Sequence, residues 1–155
     1  MSLILTTIVT FVAVIALVGV VFSHLFKGDS SLNYASNDAY WAAFMKKQLL
    51  CRELHILAAI AVGVCTGLVQ CIWNDISATP LLLALGTVEA IWLLAMFVIF
   101  PPKEQVYTDL KRFFVALAGG AAVGTFACLT LGVAATPLIV GGALFLVAWI
   151  ILTPL

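Results

Sequence analysis

Long uncharged apolar runs constrain this chain more than any other feature. From Leu3 to Phe22 there is no Asp, Glu, Lys or Arg, and similar runs recur along the sequence. About 20 apolar residues are needed to cross the hydrocarbon core of a bilayer as a helix. These runs are apolar on both faces, whereas strands of a membrane barrel alternate apolar and polar residues. The sequence therefore predicts an all-α integral membrane protein.

Composition supports the same class. Of the 155 residues, 65% are hydrophobic and 9% are charged, and the mean hydropathy is +1.23. A water-soluble domain of this size could not bury so much apolar surface. The formal net charge is zero, so the basic surface needed to bind nucleic acid is missing. We expect the lipid bilayer as the surrounding medium and no nucleic-acid partner.

The apolar runs predict one transmembrane domain, a bundle of about five helices. The predicted spans are residues 3–22, 54–73, 81–100, 113–135 and 138–155. Thr136 and Pro137 interrupt the last run, so the fourth and fifth spans are expected to form a tight hairpin. The alternative has four spans, with 113–155 forming one helix and a re-entrant segment.

The longest polar region lies between the first two predicted spans. Ser36, Asn37 and Asp38 are good N-cap residues. Aromatic and apolar side chains then recur at helical spacing, which predicts an interfacial amphipathic helix at about residues 38–50. The alternative is that this segment is an N-terminal extension of the second span.

The basic residues predict an orientation. Four Lys and Arg residues lie between the first and second spans and three lie between the third and fourth. Loops rich in Lys and Arg stay in the cytoplasm. We therefore expect the N-terminus outside and the C-terminus in the cytoplasm, in a bacterial inner membrane or an organelle membrane.

Glu89 is the strongest candidate for chemistry because it is the only charged residue of the third predicted span. A central acidic residue costs about 2.5–3.5 kcal/mol on insertion scales, so it normally faces a partner, a cavity or another subunit. Counted from the outer helix ends, Thr66 and Thr125 have a similar depth and could share a polar layer with Glu89. The layer predicts a proton- or cation-binding site. The alternative is a protonated Glu89 that hydrogen bonds within a helix interface.

Small residues in the last two spans predict close helix packing. Gly120 and Gly124 have the G-x-x-x-G spacing that lets two helix backbones approach in lipid. Gly141 and Gly142 could serve the same contact, and Gln70 could donate a hydrogen bond between helices. The pattern leaves open whether these contacts lie within the chain or between chains.

Two histidines raise a cofactor hypothesis. His24 and His55 lie near the predicted cytoplasmic ends of the first two spans, where they could ligate a b-type haem together. No other cofactor is expected. The four cysteines lack the spacing of a zinc site, so no metal is expected either.

The sequence predicts no enzymatic activity. The small loops and the absence of a cofactor motif favour a non-catalytic structural or accessory subunit of a larger membrane assembly, with other membrane subunits or further copies as partners. The alternatives are an oligomeric proton- or cation-conducting channel or transporter unit that uses Glu89, and a haem-bearing electron-transfer subunit.

Overall fold

The computed structural model describes the backbone of residues 2–25, 37–96 and 107–152, and the side chains of residues 2–21, 52–96 and 110–152. Five helices make up nearly all of this part of the chain, and it contains no strand. They are α1 (Leu3–Leu25), α2 (Asn37–Asn74), α3 (Thr79–Leu94), α4 (Tyr107–Leu131) and α5 (Thr136–Leu152). The prediction of an all-α fold is confirmed.

Three of the helices contain segments that are long and apolar enough to cross a membrane. These segments are Leu3–Val21, Arg52–Asn74 and Leu110–Leu131. The helices α3 and α5 are apolar but shorter, with 16 and 17 residues. The last residues of the third and fifth predicted spans, 97–100 and 153–155, lie outside the described residues.

The second helix is longer than a single predicted span. It runs without interruption for 38 residues, so the segment 38–50 is its first part and is continuous with the predicted second span. The part of α2 around Arg52 and the nearby first turns of α4, which contain Arg112, define what we name the charged end of the bundle. The opposite end, with the turns at Asp75 and Gly132, is named the turn end.

The helices α2 and α4 end in the same way. Asp75 and Gly132 have positive φ angles of 53° and 64°. The residue after each one donates its backbone N–H to the carbonyl oxygen five positions earlier, at 2.9 and 3.2 Å. This pattern is the Schellman cap, in which a left-handed residue stops the helix. It ends α4 at Leu131, four residues before the predicted end at 135.

The matching turns belong to an internal repeat. The segment 59–92 recurs at 116–149, displaced by 57 positions. Residues that are identical at equivalent positions are Ala59/Ala116, Ala61/Ala118, Gly63/Gly120, Gly67/Gly124, Cys71/Cys128, Ala78/Ala135, Thr79/Thr136, Pro80/Pro137, Leu81/Leu138 and Trp92/Trp149. Each copy forms one helical hairpin, α2–α3 or α4–α5, whose second helix starts at a Thr-Pro pair where the missing proline N–H costs nothing.

The two hairpins pack on each other through equivalent contacts. The helix α2 packs mainly on α5, and α4 packs mainly on α3. A Cβ atom built on Gly63 would lie 2.8 Å from the carbonyl oxygen of Gly141, and one built on Gly120 would lie 2.8 Å from that of Ala84. Because Ala84 and Gly141 are also 57 positions apart, the hairpins are related by an approximate twofold axis. The fourth and fifth helices were predicted to pack tightly on each other. Instead, each of them packs mainly on a helix of the first hairpin.

The core lies between the hairpins, and α1 lies outside it. Among the most buried side chains of the core are Ile56, Val62, Leu81, Leu85, Val88, Trp92, Phe113 and Phe145. The ring of Phe113 stacks on that of Trp149 with a centroid distance of 3.9 Å and an interplanar angle of 12°. The helix α1 packs mainly against α2, where Gln70 Nε2 donates a hydrogen bond to Thr7 Oγ1 at 3.0 Å.

Candidate functional site

Two carboxyl groups meet inside the first hairpin. The carboxyl groups of Glu89 of α3 and Glu53 of α2 lie close enough to interact directly. The Oε2 atom of each residue is buried and has no hydrogen-bond partner among the described residues. Two ionised carboxylates repel each other, and a hydrogen bond between two carboxyl groups needs a proton on one of them.

The two residues of the pair lie at different depths along the bundle axis. On α2, Gly67 and Gly63 pack against Leu81 and Leu85 of α3. Because the helices are antiparallel, Glu89 lies level with about residue 59 of α2. Glu53 is six residues further toward the charged end, or about 9 Å along the helix at 1.5 Å per residue. The side chains therefore span from the middle of α3 toward the charged end.

Nitrogen-bearing side chains surround this end of the bundle. Trp92 lies three residues after Glu89, on the same side of α3. Its side chain is 3% exposed, and its Nε1 has no hydrogen-bond partner among the described residues. Arg112 of α4 is 2% exposed, and the Nε2 atom of His55 on α2 is also buried. Buried polar side chains of α2, α3 and α4 therefore lie toward the charged end in addition to the carboxyl pair.

The acidic pair breaks the internal repeat. The positions equivalent to Glu53 and Glu89, 57 residues later, are Leu110 and Leu146. The surrounding contacts are nevertheless shared, because Val88 beside Glu89 matches Phe145 and both residues are buried. The packing of a hairpin in this fold is thus compatible with leucine at both positions, and the carboxyl groups are not needed to build it.

The structure does not bring Glu89 together with the two predicted threonines. Thr66 is fully buried, but its hydroxyl donates within α2, to the carbonyl oxygen of Val62 at 2.8 Å. Thr125 is exposed and lies beside Gly124, whose added Cβ would lie 2.8 Å from the Cβ of Ala84. That contact is five residues, about 7 Å along α3, from Glu89. The predicted polar layer is therefore replaced by the Glu53–Glu89 pair.

The predicted packing residues lie in three different environments. Gly120 and Gly124 pack against Ala84 of α3, while Gly141 packs against Gly63 of α2. Gly142 has no atom within 4 Å of an added Cβ, and it lines a cleft of about 240 Å³ between α3, α4 and α5 together with Gly120. Gln70 is 6% exposed and makes the hydrogen bond to α1.

The predicted haem ligands cannot be compared, because the side chain of His24 lies outside the described residues. His55 is partly buried and lies two residues after Glu53 in the sequence. Among the described residues there is no group of three or more His, Cys, Asp or Glu side chains arranged to hold a metal ion.

Sequence reasoning missed Glu53, Arg112 and the first glycine pair. Glu53 stands beside Arg52 just before the apolar run 54–73, a position typical of the polar flank of a membrane span. Gly63 and Gly67 carry the same G-x-x-x-G spacing as Gly120 and Gly124. A search for self-similarity at a fixed displacement would have found that spacing and the repeat.

The geometry of this cluster is suited to holding and exchanging a proton between two carboxyl groups. Comparison of the chain with protein-family models, with curated protein sequences and with solved structures finds no match.

Proposed function

We propose that this chain is a five-span membrane protein that translocates protons, with the Glu53–Glu89 pair as the proton-binding site. In this proposal the charged end faces the cytoplasm and the N-terminus lies outside, in agreement with the distribution of Lys and Arg. The three long apolar helices would span the bilayer fully. The shorter helices α3 and α5 would complete the two hairpins.

One observation carries the proposal: two neighbouring carboxyl groups occupy positions that are leucine in the other copy of the repeat. Ionisable residues inside a membrane protein are costly. The second hairpin forms with Leu110, which is 44% exposed, and Leu146 at these positions, so the hairpin fold does not account for the two carboxyl groups. A functional requirement for an exchangeable proton does account for them.

The ligand is a proton rather than a metal cation. A cation held between the two carboxyl groups would require both to be ionised and to point their oxygens at it. A single shared proton instead relieves the repulsion between two neighbouring carboxylates. Arg112, which is nearly fully buried in α4, adds positive charge toward the charged end, and positive charge disfavours a metal cation.

Infrared difference spectroscopy across a pH series tests the site directly. The protein in lipid nanodiscs should show the C=O band of a protonated carboxyl group that disappears when the pH is raised. Glu89→Leu, which copies the residue of the second hairpin, should remove this band and retain the helical fold. Asp75→Asn is the matched control, because Asp75 is an exposed turn residue and Asn tolerates its left-handed backbone. A band that survives in Glu89→Leu would refute the proposal.

Proton flux into proteoliposomes tests translocation. An imposed potential should drive acidification of the lumen by the native protein and by Asp75→Asn. Glu89→Leu and Glu53→Leu should reduce the flux to that of empty vesicles. Equal flux in native and Glu89→Leu vesicles would exclude the pair from the pathway.

A second candidate function, an accessory subunit of a larger membrane assembly, is favoured by α1. Only 6% of the residues in the apolar segment of α1 are buried, against 50% of those in the apolar segment of α2. Such an exposed helix has a free face for a neighbouring subunit. Native mass measurement after mild extraction tests this candidate: a different co-purifying chain supports it, and a lone monomer contradicts it.

A further inference from the structure

The interior of the bundle differs on the two sides of Glu89. Toward the turn end, the side chains that line the contact between α2, α3 and α5 are apolar and almost completely buried. They are Val62, Leu81, Leu85 and Phe145, with exposures of 0–3%. Water needs space and two or more polar partners to occupy a buried position. Among the described residues, the contact between α2, α3 and α5 offers no such place, and the cleft of about 240 Å³ beside it, between α3, α4 and α5, has Thr125 as the one polar side chain in its lining.

Close backbone contacts seal the same region. A Cβ built on Gly63 would lie 2.8 Å from the carbonyl oxygen of Gly141, and one on Gly67 would lie 3.1 Å from that of Pro137. Thr66 is the one hydroxyl-bearing side chain beside these glycines in α2. It donates to the carbonyl oxygens of Val62 and Gly63, at 2.8 and 3.2 Å. The hydroxyl group of Thr66 therefore donates its hydrogen bond within its own helix.

Toward the charged end, polar groups continue from Glu89. Glu53 follows at about 9 Å along the bundle axis, and α2 also contributes Arg52 and His55. The helix α4 contributes Lys111 and Arg112 at this end. Neither α5 nor the described part of α1 has an Asp, Glu, Lys or Arg residue. Among the described residues, buried ionisable side chains therefore lie on the charged-end side of Glu89.

We infer that Glu89 exchanges its proton with the compartment at the charged end alone, and that Glu53 is the relay. This inference rests on the proposed function. In one exchange, Glu53 takes a proton from water at the charged end and becomes a neutral acid. It then donates that proton to the neighbouring ionised Glu89, which becomes neutral as Glu53 becomes a carboxylate. Release follows the same steps in reverse.

The arrangement also defines what must move in a complete transport cycle. Because the glycine contacts join one hairpin to the other, opening the opposite side requires that the two hairpins separate at the turn end. Transporters built from repeats commonly alternate by rocking one repeat against the other. In this inference, the conformation described here is the one that exchanges protons with the charged end.

Carbodiimide labelling under a pH difference tests the inference. A membrane-permeant carbodiimide reacts with protonated carboxyl groups in apolar surroundings, and mass spectrometry of the peptide containing Glu89 gives the rate. The full chain is placed in proteoliposomes, and a cleavable tag after residue 155 reports its orientation. The pH is then changed on one side while a strong buffer holds the other.

Labelling of Glu89 should slow at least several-fold when the pH is raised at the charged end, and it should be unchanged when the pH is raised at the turn end. In Glu53→Leu, which copies Leu110, the response to the charged end should be lost or greatly delayed. Labelling that follows the pH at the turn end, or at both ends equally, would overturn the inference and leave the proton site intact. Failure of Glu89 to react at any pH would remove the proton site itself, and the proposed function with it.

Discussion

The glycine contact between the hairpins gives a quantitative stability prediction for Gly120→Ala. The new Cβ would lie 2.8 Å from the carbonyl oxygen of Ala84 and would collide with the side chain of Val88. A backbone atom cannot rotate away, so the cost belongs to the upper part of the range of about 1–3 kcal/mol for overpacking. Alanine is better than glycine in a helix by about 1 kcal/mol. The free energy of unfolding should therefore fall by about 1–2 kcal/mol.

A matched glycine separates the steric cost from helix propensity. Gly86 lies in α3 and has no atom within 4 Å of an added Cβ. Gly86→Ala should therefore raise the free energy of unfolding by up to about 1 kcal/mol. Reversible unfolding in mixed micelles of dodecyl sulfate and a mild detergent, followed by circular dichroism, measures both variants.

The repeat adds an internal test of the same reasoning. Gly63→Ala introduces an equivalent contact, 2.8 Å from the carbonyl oxygen of Gly141, so its loss of stability should resemble that of Gly120→Ala. If Gly120→Ala is as stable as Gly86→Ala, the close packing of α4 on α3 is not present in the folded protein. If only one of the two variants is destabilised, the hairpins are not equivalent.

The other predictions concern single contacts and use the same unfolding measurement. Gln70→Ala removes the hydrogen bond to Thr7 and should cost about 0.6 kcal/mol, with an upper limit near 1.7; Thr7→Val should cost as much, and the double variant little more. Gly132→Ala places a side chain at a φ of 64° and should cost about 1–2 kcal/mol, so an unchanged stability would contradict the described turn. A double-mutant cycle of Phe113→Leu and Trp149→Leu should give a coupling of about 0.5–1.5 kcal/mol from the ring stack. If the two losses of stability simply add, the ring stack does not contribute to stability.

Much of the fold follows from apolar length and helix-ending residues. The first helix begins at the predicted residue, Leu3, because nothing polar interrupts the run. The third span was predicted to begin at Leu81, and α3 begins at Thr79, with Pro80 in its first turn. The end of α4 was placed too late, since hydropathy continues through Gly132 to Ala135 and only the left-handed conformation of Gly132 stops the helix. Local capping geometry, rather than polarity, decides such an end.

The candidate site was half predicted. Glu89 was found because an acidic residue within an apolar run has a clear physical cost. Its partner was missed, because the six-residue offset between Glu53 and the level of Glu89 depends on how α3 lies across α2. Depth counted from helix ends instead suggested Thr66 and Thr125, and this count takes no account of the direction in which each side chain points. Threonine in a helix commonly bonds its own backbone, as Thr66 does.

The repeat has an evolutionary consequence. Each hairpin begins and ends at the charged end, so a gene for one hairpin can be duplicated in tandem and joined by a loop without inverting either half. Before such a fusion, two identical hairpins would form a symmetric dimer through the same glycine contacts, with every residue present twice. Fusion frees the halves to diverge. Such divergence accounts for leucine at positions 110 and 146, which are equivalent to Glu53 and Glu89 in the first hairpin. One half keeps only the fold, while the other holds a single ionisable pair.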